Sequence, residues 1–266
     1  MQVLSTLSDT TLRQTRGILT DIDDTLTERG RLHADVLAAL EALQAAGVPV
    51  IPVTGRPFGW AYPQLRLWPI RAIVAENGAA FTWLDKDDRQ HIRYYADAAT
   101  LAAHRSKLNA VMHDILQTIS EASLTLDHFL RVGDVAFDLC ENVPQKSRAT
   151  IEAITTKLRA AGCHVAESTI HLHGSFGDYD KCAASLRLLE EIYGIPPEEA
   201  RQTWLFIGDS LNDAPLFAGF EHTIGVANVA RFVARMPVPP KYVTDGAAGR
   251  GFWELAQRVL AARAAR

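Results

Sequence analysis

Cysteine is scarce in this chain and scattered. Cys140, Cys163 and Cys182 are odd in number and show no metal-ligand spacing, which argues against a disulfide framework or a structural zinc site and for reduced thiols. No apolar run approaches the length of a membrane span. A surplus of one charge sign is missing too: 27 Lys and Arg face 31 Asp and Glu, a formal net charge of −4. That balance exerts no long-range pull on nucleic acid or anionic lipid, so neither is expected as a partner. Met1 to Arg16 lack the basic start and apolar stretch of a secretory signal, and a cytoplasmic setting is expected. There are no repeats and no low-complexity tracts.

What is present is an ordinary globular composition, 48% hydrophobic and 22% charged over 266 residues, enough for one large or two modest domains. Residues 1–15 are rich in Ser and Thr and read as an irregular leader. A strand is expected at about 17–22. A helix follows from His33 to Ala46, with Val36, Leu37, Leu40 and Leu43 on one face and Gly47 at its stop. Val48–Val53 reads as a buried strand despite its prolines, and Arg71–Glu76 as another. This alternation predicts a parallel sheet flanked by helices.

The pattern then changes. Ala79–Leu84 and His91–Tyr95 read as a hairpin whose charged tip, Asp85–Arg89, is solvated. A long helix over Thr100–Ser120, strand-like pieces at Asp134–Leu139 and His164–His173, and a helix over Gln145–Ala161 give an α+β region. Alternation resumes with a helix over Asp180–Tyr193 and a strand over Thr203–Ile207, followed by short units and a helix from Gly251. The expected architecture is therefore α/β, a doubly wound Rossmann-like parallel sheet core (1–84 and 179–266) with an inserted α+β domain (85–178).

Four predicted strand ends carry polar clusters: Asp21-Ile22-Asp23, Thr54-Gly55, Asn77, and Asp209 with Asp213. In open parallel sheets ligands bind beyond the carboxyl ends of the strands, so these distant clusters should converge. As a strand, Asp21 and Asp23 would point to one side, and adjacent buried carboxylates call for a cation or a shared proton. Several carboxylates, a hydroxyl and an amide suit a Mg²⁺-dependent phosphate site. Lys181, at a helix start, is the candidate to balance the phosphate.

These residues carry a resemblance. The chain resembles phosphatases of the haloacid dehalogenase superfamily, and its mid-chain insertion resembles that of subfamily IIB, the sugar-phosphatase-like group. Asp21, Asp23 and Thr25 match the family's Asp-x-Asp-x-Thr; Thr54 matches the second motif and Lys181 the third. Gly208, Asp209, Asn212 and Asp213 match Gly-Asp-x-x-Asn-Asp, and Glu76-Asn77-Gly78 resembles a IIB feature. The resemblance implies that Asp21 is the nucleophile and Asp23 the acid/base. It implies that Asp21, the Asp23 carbonyl and Asp209, with Asp213 near, hold Mg²⁺, and that Thr54, Gly55 and Lys181 clamp the phosphoryl group. The insertion would be a cap that selects the leaving group, making the protein a Mg²⁺-dependent hydrolase of a small, sugar-like phosphate ester. The rivals are a phosphosugar mutase, which needs a second phosphate site in the cap, and a catalytically silent binding protein on this fold.

Other residues admit two readings. His171 and His173 lie two apart and share one face of a strand, turned either toward the substrate or toward solvent. Arg56 reaches substrate or supports its loop, and Asn77 and Asn212 are further candidates for substrate binding. Arg131, Arg148 and Arg159 read as surface charges, and the five tryptophans as packing residues.

Overall fold

The computed structural model describes residues 1–265. Twelve strands run in chain order: β1 (Gln2–Val3), β2 (Gly17–Thr20), β3 (Val50–Pro52), β4 (Ala72–Ala75), β5 (Ala80–Leu84), β6 (Gln90–Tyr94), β7 (Asp134–Asp138), β8 (His164–Glu167), β9 (His171–Ser175), β10 (Trp204–Gly208), β11 (His222–Gly225) and β12 (Tyr242–Val243). Six form a sheet in the order β1-β12-β11-β10-β2-β3, and every pair in it is parallel. Every residue of β2 and β10 is buried, as expected of apolar strands covered by helices on both faces. Separate apolar clusters fill the two faces, one around Ile18, Leu40, Leu205 and Phe252 and one around Leu19, Leu189, Phe206 and Phe217.

The chain runs from β2 outward to β3 on one side and returns at β10 on the other. The crevice at such a reversal of strand order is where doubly wound sheets bind ligands. Thr20 pairs with Ile207 across it, so the residues that follow, Asp21 and Asp209, leave the sheet side by side.

The leader expected at residues 1–15 is ordered. β1 adds a parallel edge beside β12, and the helix Asp9–Gln14, capped by the Ser8 hydroxyl, packs on the C-terminal helix Ala248–Ala264. Leu4, Leu7 and Leu12 are buried; three leucines diluted by Ser and Thr give too weak a period to stand out. The strand expected at 17–22 stops at Thr20, where the chain turns.

β4, β5 and β6 form an antiparallel sheet, tied to β3 by the parallel bridge of Val53 with Val74 and by a Thr54 N–H to Val74 carbonyl bond of 2.9 Å. β6 therefore stays with the main sheet, although the sequence division puts residues from 85 onward in the insertion. The charged tip Asp85–Arg89 is a hairpin turn and not a crossing point.

Beyond it, the helices Ala98–Thr118 and Arg148–Ala160 pack on the antiparallel sheet β7-β9-β8. Their core, around Leu108, Ile115, Phe137, Ile154, Leu158 and Leu172, is a third apolar cluster. One buried acid fastens this unit to the main sheet. Glu76, at the end of β4, accepts the backbone N–H groups of Phe58 (2.8 Å), Val132 (2.9 Å), Gly133 (2.7 Å) and Asp134 (3.2 Å). Among the described residues, no helix is long and apolar enough to cross a membrane.

Candidate active site

The polar strand ends meet. Asp21 follows β2, and its N–H bonds to the Ile207 carbonyl at 2.9 Å, which fixes it against β10. Asp209 follows β10, and Asp213 lies one turn later in a short helix capped by Ser210. Oxygens of Asp21, Asp209 and Asp213 lie within 4.8 Å of one another, and all three residues are buried. Gly208 makes room for this: a Cβ there would lie 2.5 Å from Asp213 Oδ2. That same oxygen accepts the N–H groups of Asp209 (2.9 Å) and Ser210 (3.1 Å).

Lys181, first residue of the helix Lys181–Tyr193, is also buried, and its Nζ donates to Asp21 Oδ1 at 2.6 Å and Asp213 Oδ1 at 2.7 Å. One ammonium thus bonds two of the three clustered carboxylates. Burial pushes Asp21 up to about 8; Lys181 opposes the shift, and Asp213 and Asp23 add to it. Burial and the neighbouring Asp21 and Asp213 likewise raise Asp209 well above the ordinary range. Asp209 Oδ2 accepts from Asn228 at 2.9 Å, while Oδ1 is buried with no hydrogen-bond partner. An all-oxygen donor set with an orphaned carboxylate oxygen and a shortage of positive charge fits a hard divalent cation.

Asp23 stands outside that cluster. Its Oδ1 and Oδ2 accept from Arg56 Nε at 3.1 and 2.9 Å, and Oδ1 takes Arg56 Nη2 at 2.7 Å. Arg56 also reaches across to the insertion, donating to Glu141 Oε1 at 2.6 Å, and Glu141 Oε2 meets His171 Nε2 at 2.9 Å. The second strand end folds back on itself: Thr54 Oγ1 accepts the Arg56 N–H at 3.0 Å, and the Thr54 carbonyl accepts the Asn77 N–H at 3.0 Å. Asn77 occupies the left-handed region, φ 53°, and its Oδ1 takes Asn212 Nδ2 at 3.1 Å.

His171 and His173 are buried at 2% exposure each, so the solvent-facing reading of their strand fails. β9 pairs on both edges, and this face turns toward the core. Together with Asp21, Asp23, Gly55, Ser210 and Asn212 they line a narrow gap. A larger cavity of about 830 Å³ adjoins, bordered by Asn77, His173, Lys181 and Asn212 and by Arg148, Arg159 and Arg235.

Arg131 is no surface charge. It is 6% exposed and donates to Asp134 Oδ1 at 2.9 Å and to the Gly55 carbonyl at 3.0 Å. Arg148 pairs with Glu167, which also takes Arg235 from the main sheet's side. Asn228, Glu141, Asp134 and Ser210 are site residues that the sequence reading passed over. Ser210 occupies a variable position inside the run Gly208–Asp213, and the other three have no spacing to mark them.

Residues 18–128 match the family of haloacid dehalogenase-like hydrolases. The chain is 28% identical over 247 residues to a phosphoglycolate phosphatase of Methanothermobacter thermautotrophicus, covering 92% of this chain and 99% of that protein. Its fold is similar to that of the sucrose-phosphatase of Synechocystis sp. PCC6803, with a TM-score of 0.65, 15% identity, and coverage of 92% and 98%. A solved sugar phosphatase of subclass IIB gives a TM-score of 0.64 at 15% identity, covering 91% of this chain and 98% of its own.

Proposed function

The chain is a haloacid dehalogenase-like phosphatase acting on phosphate esters, and from that premise we propose that it is a Mg²⁺-dependent hydrolase of small, sugar-like phosphomonoesters working through a phosphorylated Asp21. The observation that carries this reading is Lys181 bridging Asp21 and Asp213 beside Asp209, from three separate parts of the chain.

Asp21 attacks phosphorus, the bond to the leaving oxygen breaks, and Asp23 supplies the proton that oxygen takes up. Asp23, now a base, takes a proton from water as the water attacks phosphorus, and the bond to Asp21 breaks. Inorganic phosphate leaves and Asp21 is regenerated. The Thr54 hydroxyl, the Gly55 N–H and Lys181 hold the phosphoryl oxygens. Asp21, Asp209 and the Asp23 carbonyl would hold Mg²⁺, which when bound offsets the charge of carboxylates and phosphate together. Asp213, with both oxygens engaged by Lys181 and the 209–210 backbone, orients Lys181 and the loop more than it serves as a ligand.

The unit from about residue 96 to 178 acts as the cap, with β6 left in the core. It brings His171, His173 and Glu141 to the site and encloses the leaving group. The mutase alternative would have a single arginine to clamp a second phosphate: Arg148 and Arg235 are both spent on Glu167, which leaves Arg159 at the cavity's edge. A second reading, 2-phosphoglycolate as substrate, is favoured by the phosphoglycolate phosphatases that match over nearly the whole chain. Phosphate release from a panel of phosphate esters with Mg²⁺ tests the proposal. Hydrolysis of sugar and polyol phosphates that stops in chelator is expected; full turnover in chelator, or hydrolysis confined to phosphoanhydrides, would overturn it.

A further inference from the structure

His173 uses one ring nitrogen and leaves the other free. Nδ1 lies 2.8 Å from Asp134 Oδ2. Asp134 is itself held by Arg131 at 2.9 and 3.2 Å and by its own N–H bonded to Glu76. Nε2 is buried and has no hydrogen-bond partner. It faces the turn after β3: a Cβ placed on Gly55 would lie 3.1 Å from it and 3.3 Å from Asn77 Nδ2. His173 also borders both the narrow gap beside Asp21 and Asp23 and the large cavity, a position it shares with Asn212. A group bonded to a phosphate at Asp21 and extending into the cavity passes this nitrogen.

The proton on the ring can be located. Burial lowers His173 to about 4 against the opposing pull of Asp134, so at neutral pH the ring carries a single N–H. Burial raises Asp134, but Arg131 and His173 outweigh it and keep that group ionised. An ionised carboxylate only accepts, so the single N–H is at Nδ1 and Nε2 presents a lone pair.

We propose that His173 Nε2 is a fixed hydrogen-bond acceptor that selects esters whose leaving group carries a hydroxyl near the ester oxygen, as in polyol and sugar phosphates, over esters carrying a carboxylate there, as in 2-phosphoglycolate. The inference rests on the phosphatase reading, because it is Asp21 and Asp23 that make the leaving group a neighbour of this nitrogen. A hydroxyl donates to the lone pair and relieves an unpaired buried atom. A carboxylate brings only lone pairs and negative charge to meet the lone pair of Nε2. Of the donors nearby, Arg131 Nη1 is held by Asp134 and the Gly55 carbonyl, Asn212 Nδ2 by Asn77, and Arg56 by Asp23 and Glu141.

The test uses the full chain with saturating Mg²⁺ at neutral pH, measuring kcat/KM for glycerol 3-phosphate, propyl phosphate and 2-phosphoglycolate. The wild type should favour glycerol 3-phosphate over each of the others by about 10- to 100-fold, because a buried acceptor penalises ligands that leave it unpaired. In His173→Ala the glycerol-to-propyl ratio should fall to near one. Since that variant opens a buried site, the wild type supplies a second readout: ¹⁵N NMR of the His173 ring should show the neutral, Nδ1-protonated tautomer. Equal or faster turnover of 2-phosphoglycolate, a ratio preserved in His173→Ala, or an Nε2-protonated ring would each overturn the proposal while leaving the phosphatase reading intact. No hydrolysis of any ester, p-nitrophenyl phosphate included, would overturn both.

Discussion

The two walls of the cleft bury charge in opposite ways. On the core wall, Asp21 and Asp213 share the single ammonium of Lys181, and Asp209 beside them has one oxygen with no partner. On the facing wall each acid is matched. Asp134 sits between Arg131 and His173, and Glu141 between Arg56 and His171. Unpaired buried carboxylates are costly unless a cation arrives, so the core wall is built around something it does not itself supply. The opposite wall is balanced in advance and offers a neutral acceptor. Under the proposed function, this contrast puts the phosphate and its cation on one wall and the choice of leaving group on the other.

That division breaks most severely at Asp21. On the proposed mechanism Asp21→Asn removes the nucleophile, so turnover should fall to background with no phosphoenzyme; near wild-type rates would remove Asp21 from the chemistry. Asp23→Asn should slow both steps by about 10²–10⁴-fold, the usual worth of a general acid/base, as measured by single-turnover kinetics. A burst of leaving group followed by slow phosphate release would show that only the second step depends on it.

A smaller effect is expected across the cleft. Glu141→Gln leaves Arg56 on Asp23 but weakens the charged link to the insertion. Losing one such bond should lower kcat/KM by roughly tenfold, more through KM than kcat if Glu141 helps hold the walls together. An equal fall in kcat with KM unchanged would assign Glu141 to the chemistry instead.

Much of the core wall was legible in the sequence because apolar strands end abruptly in polar residues. Ile18-Leu19-Thr20 before Asp21 and Trp204–Gly208 before Asp209 each mark a buried strand and its carboxyl end. The facing wall was not legible in this way. Arg56 meets Asp23 across 33 residues and Glu141 across 85, and Glu76 reaches Gly133 across 57. Nothing periodic links such pairs, and they exist only once two sheets pack. Arg131 looked like a surface charge because nothing in the sequence shows that its partner Asp134, the first residue of β7, is buried and faces inward.

The smallest effect concerns pH and stability. The folded-state pKa of His173 is depressed to about 4, so between its unfolded value and 4 the unfolded chain binds the extra proton. This contribution to stability is full above about 6.5 and is lost as pH falls toward 4, at most about 3.5 kcal/mol. Thermal melting in His173→Gln should therefore vary less than wild type over that window. An unchanged slope would mean that other groups carry the acid sensitivity.

The division between the walls is tested most directly by locating the phosphoryl group during turnover. Rapid acid quenching of the wild-type protein with glycerol 3-phosphate and Mg²⁺, followed by peptide mapping by mass spectrometry, should find a phosphoryl increment on Asp21 alone. A phosphoryl group on His171 or His173, or steady turnover with none trapped on Asp21 when release is rate-limiting, would contradict the assignment of the chemistry to the core wall.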